Sequence, residues 1–177
     1  VLGSLEGPAL CRAFDLAREG GVSENAGLDE LDAQVTAMRL TRESREASRR
    51  TGKALLRTVA AMTRRADLQG WYDANAREGV QYPVAFGAAA ALLGASKEES
   101  LAAFLFAGVN GLVQSAIKLV PLGVGEAQAL ILESYGLLDR AAARALATPM
   151  EEASSFCPAF DLASIAHETL GTRLYIS

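Results

Sequence analysis

The chain has little of what most active sites are made from. Among its 177 residues there is one histidine, His167, and two cysteines, Cys11 and Cys157, far apart in sequence. A single distant pair is no disulfide framework, so both are read as buried thiols of a protein in a reducing, cytoplasmic compartment. No CxxC is present. "AHETL" holds His-Glu without a second histidine four residues after the first, which excludes the helical zinc-protease motif. No G-x-x-x-x-G-K-[ST] phosphate cradle occurs. Nothing local supports a nucleophilic triad, and no cofactor of its own is expected. Aromatic residues make up only 6% of the chain and do not interleave with basic ones, and the net charge is −4, both of which argue against nucleic acid. No stretch alternates in the strand pattern. The start carries no basic region followed by an apolar run of the signal-peptide kind.

What is present reads as helix. Half the residues are hydrophobic and 21% charged, a globular balance. Prolines and glycines cut the chain into about eight helical pieces. Pro8 opens "ALCRAFDLAREGG", and Gly20-Gly21 closes it. In "LDELDAQVTAMRL", residues Leu28, Leu31, Val35 and Met38 share one face. In the helix from Thr41 to Arg65, one face gathers Leu40, Ser44, Ser48, Gly52, Leu55, Val59 and Met62. Much of that face is small, so another helix can approach it closely. "GWYDANAREG" is a short amphipathic piece, and Pro83 opens "PVAFGAAAALLG". Ser96 with Glu99 three residues on forms a capping box for a long apolar helix. That helix, about 97–119, is expected to be buried at the centre of the bundle. A membrane span is disfavoured because Asn110, Gln114, Ser115 and Lys118 interrupt the run. Pro121 and Gly123 stop it. The expected architecture is an all-α single domain over residues 1–177, with 171–177 as a tail.

Two features point outward. From Arg39 to Arg65 nine basic residues meet two acids, giving a local +7 and leaving −11 for the rest. Arg42, Arg45, Arg49, Lys53 and Arg57 step by three or four along one side. That side is either a solvated helix face or a docking surface for an acidic partner. On the apolar helix, Ala103, Ala107, Asn110, Gly111, Gln114 and Lys118 form a small, polar seam. It suits a tight internal helix crossing or a contact with a partner. Lys118, in the last turn, complements the helix dipole and would equally suit an acidic partner.

Four segments, in order, resemble one family. "TRESREASRRTGKALLR" resembles the R-E-A-S-x-x-x-G-x-x-L-L-R segment of the UreF urease accessory proteins. "YPVAFGAAAALLG" is similar to their Y/H-P-V-A-F/Y-G segment, and "SAIKLVPLGVGEAQ" to S-A-x-[KR]-L-x-P-L-G-Q-x-x-x-Q. "AHETLGTRLYIS" resembles the closing H-E-T-x-x-S-R-L-F-R-S. The resemblance implies a helical, non-catalytic factor of urease maturation. It implies three partners: a UreD-like protein (also called UreH), the UreG-like GTPase that carries nickel, and urease apoprotein. It also implies a homodimer, with regulation of the GTPase. Nickel and GTP would be handled by the partners. Residues matching the motifs are Arg45, Lys118, Gln128, and in the tail His167, Glu168, Arg173 and Leu174, with Tyr175 beside them where the family has Phe. With Arg49, Lys53 and Gln114 from the two outward features, these are the expected partner-binding residues. Val124 stands where the family usually has glutamine, and Ile176 where it has arginine. The family's opening L-P-x-G segment has no counterpart here, so the chain is expected to be N-terminally truncated relative to the family. A generic helical interaction domain binding an acidic protein through the basic helix is the alternative.

Overall fold

The computed structural model describes residues 1–168. A short π-helical turn, Leu2–Glu6, leads into eight α-helices: α1 Gly7–Gly20, α2 Ala26–Met38, α3 Arg42–Thr63, α4 Ala66–Ala74, α5 Tyr82–Leu92, α6 Lys97–Leu119, α7 Val124–Ala147 and α8 Pro158–Glu168. A 3-10 turn, Met150–Glu152, lies between the last two. Among the described residues there is no strand.

Side-chain caps set the starts of α2, α3 and α6. Asn25 caps α2 by accepting from the Leu28 N–H at 3.2 Å. Thr41 caps α3 by accepting from the Ser44 N–H at 3.2 Å. Ser96 and Glu99 form the expected reciprocal capping box of α6. Gly21, at φ +70°, ends α1 in a conformation suited to glycine. Arg64, at φ 54°, ends α3 in the left-handed region. The chain re-enters a helix at Ala66, earlier than the amphipathic pattern of "GWYDANAREG" implied.

The centre of the bundle is α1. Eight of its fourteen residues are buried, Leu10 and Phe14 among them, despite charged side chains on its outer side. α5 lies along it through Val84, Ala85, Ala88 and Ala89, all buried. Gly87 makes that approach possible, because a Cβ there would overlap the Leu10 carbonyl. One side of the core gathers Leu5, Leu28, Leu31, Val35, Leu56, Leu68 and Trp71. The other packs Leu10 against Leu101, Phe104 and Leu105 of α6 and Ala145 of α7. There Tyr82, Phe86 and Phe104 form an aromatic trio with ring centroids 5.1–5.9 Å apart.

Two expectations are corrected. The apolar helix has the expected bounds, but only its first half is buried, through Ser100, Leu101, Phe104 and Leu105. Lys97 Nζ lies 2.6 Å from the Asp15 carboxylate and pins that end to α1. The second half overhangs the body with α7 beside it, leaving Leu112 64% and Leu119 53% exposed. By length and composition α6 is the one described helix able to cross a membrane, yet its first turns are packed into the core. The inward face of α3 is also rotated by one residue. Ser48, Gly52, Leu56 and Ala60 are buried, whereas Leu40 and Met62 are exposed. Gly52 sets this register, since α3 meets the Val80–Gln81 backbone there.

Candidate partner-binding surfaces

The basic helix divides into inward and outward guanidinium groups. Arg45 turns back along its own chain, donating from Nη1 to the carbonyls of Arg39 at 2.7 Å and Leu40 at 3.1 Å. Arg49 reaches α2, where Nη2 lies 3.4 Å from Asp32 Oδ2 and 3.3 Å from Thr36 Oγ1, and its Nη1 lies 3.4 Å from Glu78. Asp32 also accepts from the Gln81 N–H at 2.6 Å. Burial pushes the Asp32 carboxyl above the usual range, while the Gln81 N–H and Arg49 pull the other way. These two arginines therefore brace α2, α3 and the entry to α5. Lys53 is half-buried, and Arg42, Arg50, Arg57 and Arg64 are exposed. Glu46 is 3.8 Å from Arg50, an exposed i,i+4 pair of small energetic value.

The small, polar seam of α6 faces solvent. Ala103, Ala107, Gly111, Gln114 and Lys118 are exposed, and Asn110 is half-buried. The internal helix crossing is excluded, because Leu101, Phe104 and Leu105 on the other side enter the core. The α6–α7 turn is closed by local bonds. Val120 N–H donates to the Ala116 carbonyl at 2.9 Å, and Gly123 N–H to Glu126 Oε2 at 2.8 Å. Lys118 and Gln128 thus stand exposed near one tip of the hairpin, with Gln114 one turn back from Lys118.

Helix α8 has no buried residue. The connector before it is anchored, with Ser154 N–H donating to the Ser4 carbonyl at 2.8 Å and Ser155 Oγ to the Met38 carbonyl at 2.6 Å. The helix itself meets the start of α3. Ser164 Oγ lies 3.0 Å from Thr41 Oγ1, and His167 Nδ1 lies 2.8 Å from Glu43 Oε2. Glu168 accepts from the Glu43 N–H at 3.0 Å. A carboxylate there satisfies a first-turn N–H and complements the helix dipole. His167 and Glu168 are therefore brought to the basic helix, two elements far apart in sequence. Arg173, Leu174 and Tyr175 lie outside the described residues.

Sequence reasoning missed a groove of about 690 Å³ between the start of the chain, α3, α6 and α8. At its floor, Arg39 and Glu6 form an ion pair at 2.7 Å across 33 positions. No spacing rule reaches that far. Cys157 lines the groove and Cys11 is buried, so the thiols are not paired. Among the described residues, no group of three or more His, Cys, Asp or Glu side chains is arranged to hold a metal ion.

The model of the family described as UreF matches residues 1–135. A urease accessory protein UreF of Haemophilus influenzae is 33% identical over 174 residues, 97% of this chain and 73% of the relative. Proteins of the same name from Azoarcus sp. and Sporosarcina pasteurii are 33% identical over 177 residues and 28% identical over 167 residues. Those matches cover 99% and 93% of this chain, and 74% and 81% of the relatives.

Proposed function

The chain belongs to the UreF family of urease accessory proteins, and from that premise we propose that it is the scaffold on which a urease maturation complex assembles. It is an accessory factor of urease maturation and not an enzyme. As scaffold it joins a UreD-like protein and a UreG-like GTPase, presents them to urease apoprotein and helps nickel reach the apoenzyme. Nickel is cargo carried by the partners, GTP is bound by the GTPase, and this chain holds no cofactor. It works in the cytoplasm as a homodimer and influences the partner's GTP hydrolysis.

The observation that carries the reading is similarity along 97% of the chain to proteins bearing one name. The surfaces are of the right kind for such a role. Lys118, Gln114 and Gln128 cluster at an exposed hairpin tip that offers polar contacts beside bare apolar side chains. Arg42, Arg50 and Arg57 offer positive charge to an acidic partner. Arg45 and Arg49 support that face from within, and Lys53 lies half-buried beside them. His167 and Glu168 fix the end of α8, and Arg173, Leu174 and Tyr175, outside the described residues, are assigned by their sequence to the UreD-like partner. The test is co-purification of the tagged chain with UreD-like and UreG-like proteins, joined to urease activity in a deletion strain. Association with both and loss of activity on deletion is expected. A chain that binds neither, and whose removal leaves urease active, would sink the reading.

A further inference from the structure

The outer face of α3 repeats every seven residues. Arg50, Arg57 and Arg64 stand seven apart, and so do Ala54 and Ala61 in the row beside them. At 1.5 Å of rise per residue, the arginines recur about every 10.5 Å along the helix. The helix buries Ser48, Gly52, Leu56 and Ala60, so both rows lie away from the core, and all five of their residues are exposed. Four other arginines of the basic segment are engaged within the molecule. Arg39 pairs with Glu6, Arg45 donates to two backbone carbonyls, Arg49 meets Asp32 and Glu78, and Arg65 pairs with Asp67. By contrast, the side chains of Arg57 and Arg64 make no hydrogen bond or ion pair among the described residues, and Arg50 has only an exposed contact with Glu46 at 3.8 Å.

Charge names the occupant. The chain has 21 acidic residues against 17 basic ones, so carboxylates to neutralise this row are plentiful, yet the fold sets none beside Arg57 or Arg64 among the described residues. A positive row on an acidic protein attracts an acidic partner and steers its approach. All three members are arginine, whose planar fork suits carboxylates better than a lysine does. No bulky side chain stands at positions 54 and 61 to hold a second backbone away. Two helices lying along one another keep a seven-residue register over their length. The geometry points to a helix of a partner protein, carrying aspartate or glutamate at seven-residue intervals, laid along the outer face of α3 with its carboxylates on Arg50, Arg57 and Arg64. A nucleic acid or an anionic membrane would face the net charge of −4 and has no use for a seven-residue register. That the occupant is a protein rests on the reading of the chain as an assembly scaffold.

The test titrates the full chain, at low ionic strength, against two labelled peptides locked as helices by lactam staples and read by fluorescence anisotropy. Both have the same composition; one carries its glutamates at seven-residue intervals, and the other scatters them around the helix. Saturable binding of the first is expected, with the scattered peptide about five- to ten-fold weaker. Arg57→Gln should weaken the first peptide by about two- to five-fold. The double variant Arg50→Gln with Arg57→Gln should bring the two peptides within about two-fold of one another. Ala54→Trp, which leaves the charges in place and blocks close approach, should also weaken the first peptide. Arg12→Gln removes an exposed arginine of α1 and should change nothing. Circular dichroism establishes that each variant is folded. Equal binding of the two peptides, binding unmoved by Arg57→Gln or by Ala54→Trp, or an equal loss in Arg12→Gln would each overturn the proposal. So would a concentration-dependent dimer dispersed by the double variant, which would assign the face to a second copy. Register-selective binding by a chain that associates with no urease maturation protein would overturn the scaffold reading and leave the assignment of the face standing. Association with those proteins by a chain that does not distinguish the two peptides would do the reverse.

Discussion

Gly52→Ala sets two effects of known sign against each other. In a helix interior alanine is favoured over glycine by about 1 kcal/mol. A Cβ at position 52, however, would overlap the Val80 carbonyl oxygen and lie 3.1 Å from the Val80 carbonyl carbon and 3.2 Å from that of Gln81. These are backbone atoms and cannot rotate aside. The strand of chain they belong to is fixed on both sides. Gln81 N–H is held by Asp32 at 2.6 Å, and Tyr82 N–H by Ser48 Oγ at 3.0 Å. Relief requires stretching those bonds or lifting α3, and overpacking of this kind costs about 1–3 kcal/mol or more. Overlap with fixed backbone atoms belongs at the upper end of that range, about 3 kcal/mol, so the collision outweighs the propensity gain for a net loss of about 2 kcal/mol. For a chain of this size that lowers the melting temperature by about 4–8 °C. Gly70→Ala is the internal control, because its Cβ would meet nothing within 4 Å. It should raise the melting temperature by about 2–4 °C. Thermal unfolding followed by circular dichroism measures both. A Gly52→Ala protein melting at or above the parent would refute the close approach of α3 to residues 80–81.

Three further outcomes are expected. Lys118→Glu should impair complex assembly or urease activation while costing about 1 kcal/mol in a urea titration, the scale of a charge at a helix end; an assembly defect fully explained by lost stability would count against a contact role. Burial pushes the Cys11 thiol up from 9.0 to about 11. Between those values only the unfolded chain ionises, so stability should fall as pH rises from 9 to 11, and that portion of the decline should vanish in Cys11→Ala. Ser96→Ala removes the capping box of α6 and should cost about 1 kcal/mol by urea midpoint; an unchanged midpoint would show that the core contacts of Leu101 and Phe104 alone hold that helix end.

The sequence made the helices legible where a side chain or a ring constraint marks their ends. Pro8, Ser96 with Glu99, and Pro121 stand where the pattern placed them. Neighbours were less legible, because hydropathy reports how apolar a helix is and not what lies beside it. The run 101–120 is more apolar than α1, yet half of it overhangs the body while α1 is the centre. Leu55 and Leu56 are equally apolar, and with Gly52 set against residues 80–81 it is Leu56 that is fully buried while Leu55 packs only partly against the core. Of the candidate site, the seam of α6 could be read from the sequence but its exposure could not, since an internal crossing fitted the same residues, and the docking of His167 and Glu168 onto Glu43 could not be read at all. The Arg39–Glu6 pair joins the residue before α1 to the residue after α2, a meeting that no local spacing encodes.

The central position of α1 also bears on how the chain is made. Its apolar face leaves the ribosome early, but its main cover, α5, ends at Leu92. Between the two lie roughly 70 residues, or about 4–14 s of translation at ordinary rates. Throughout that interval Leu10, Phe14 and the buried alanines of α1 have no native partner from α5. α2 and the start of α3 can shelter only part of that face, so the nascent chain is a natural client for a holding chaperone until α5 emerges.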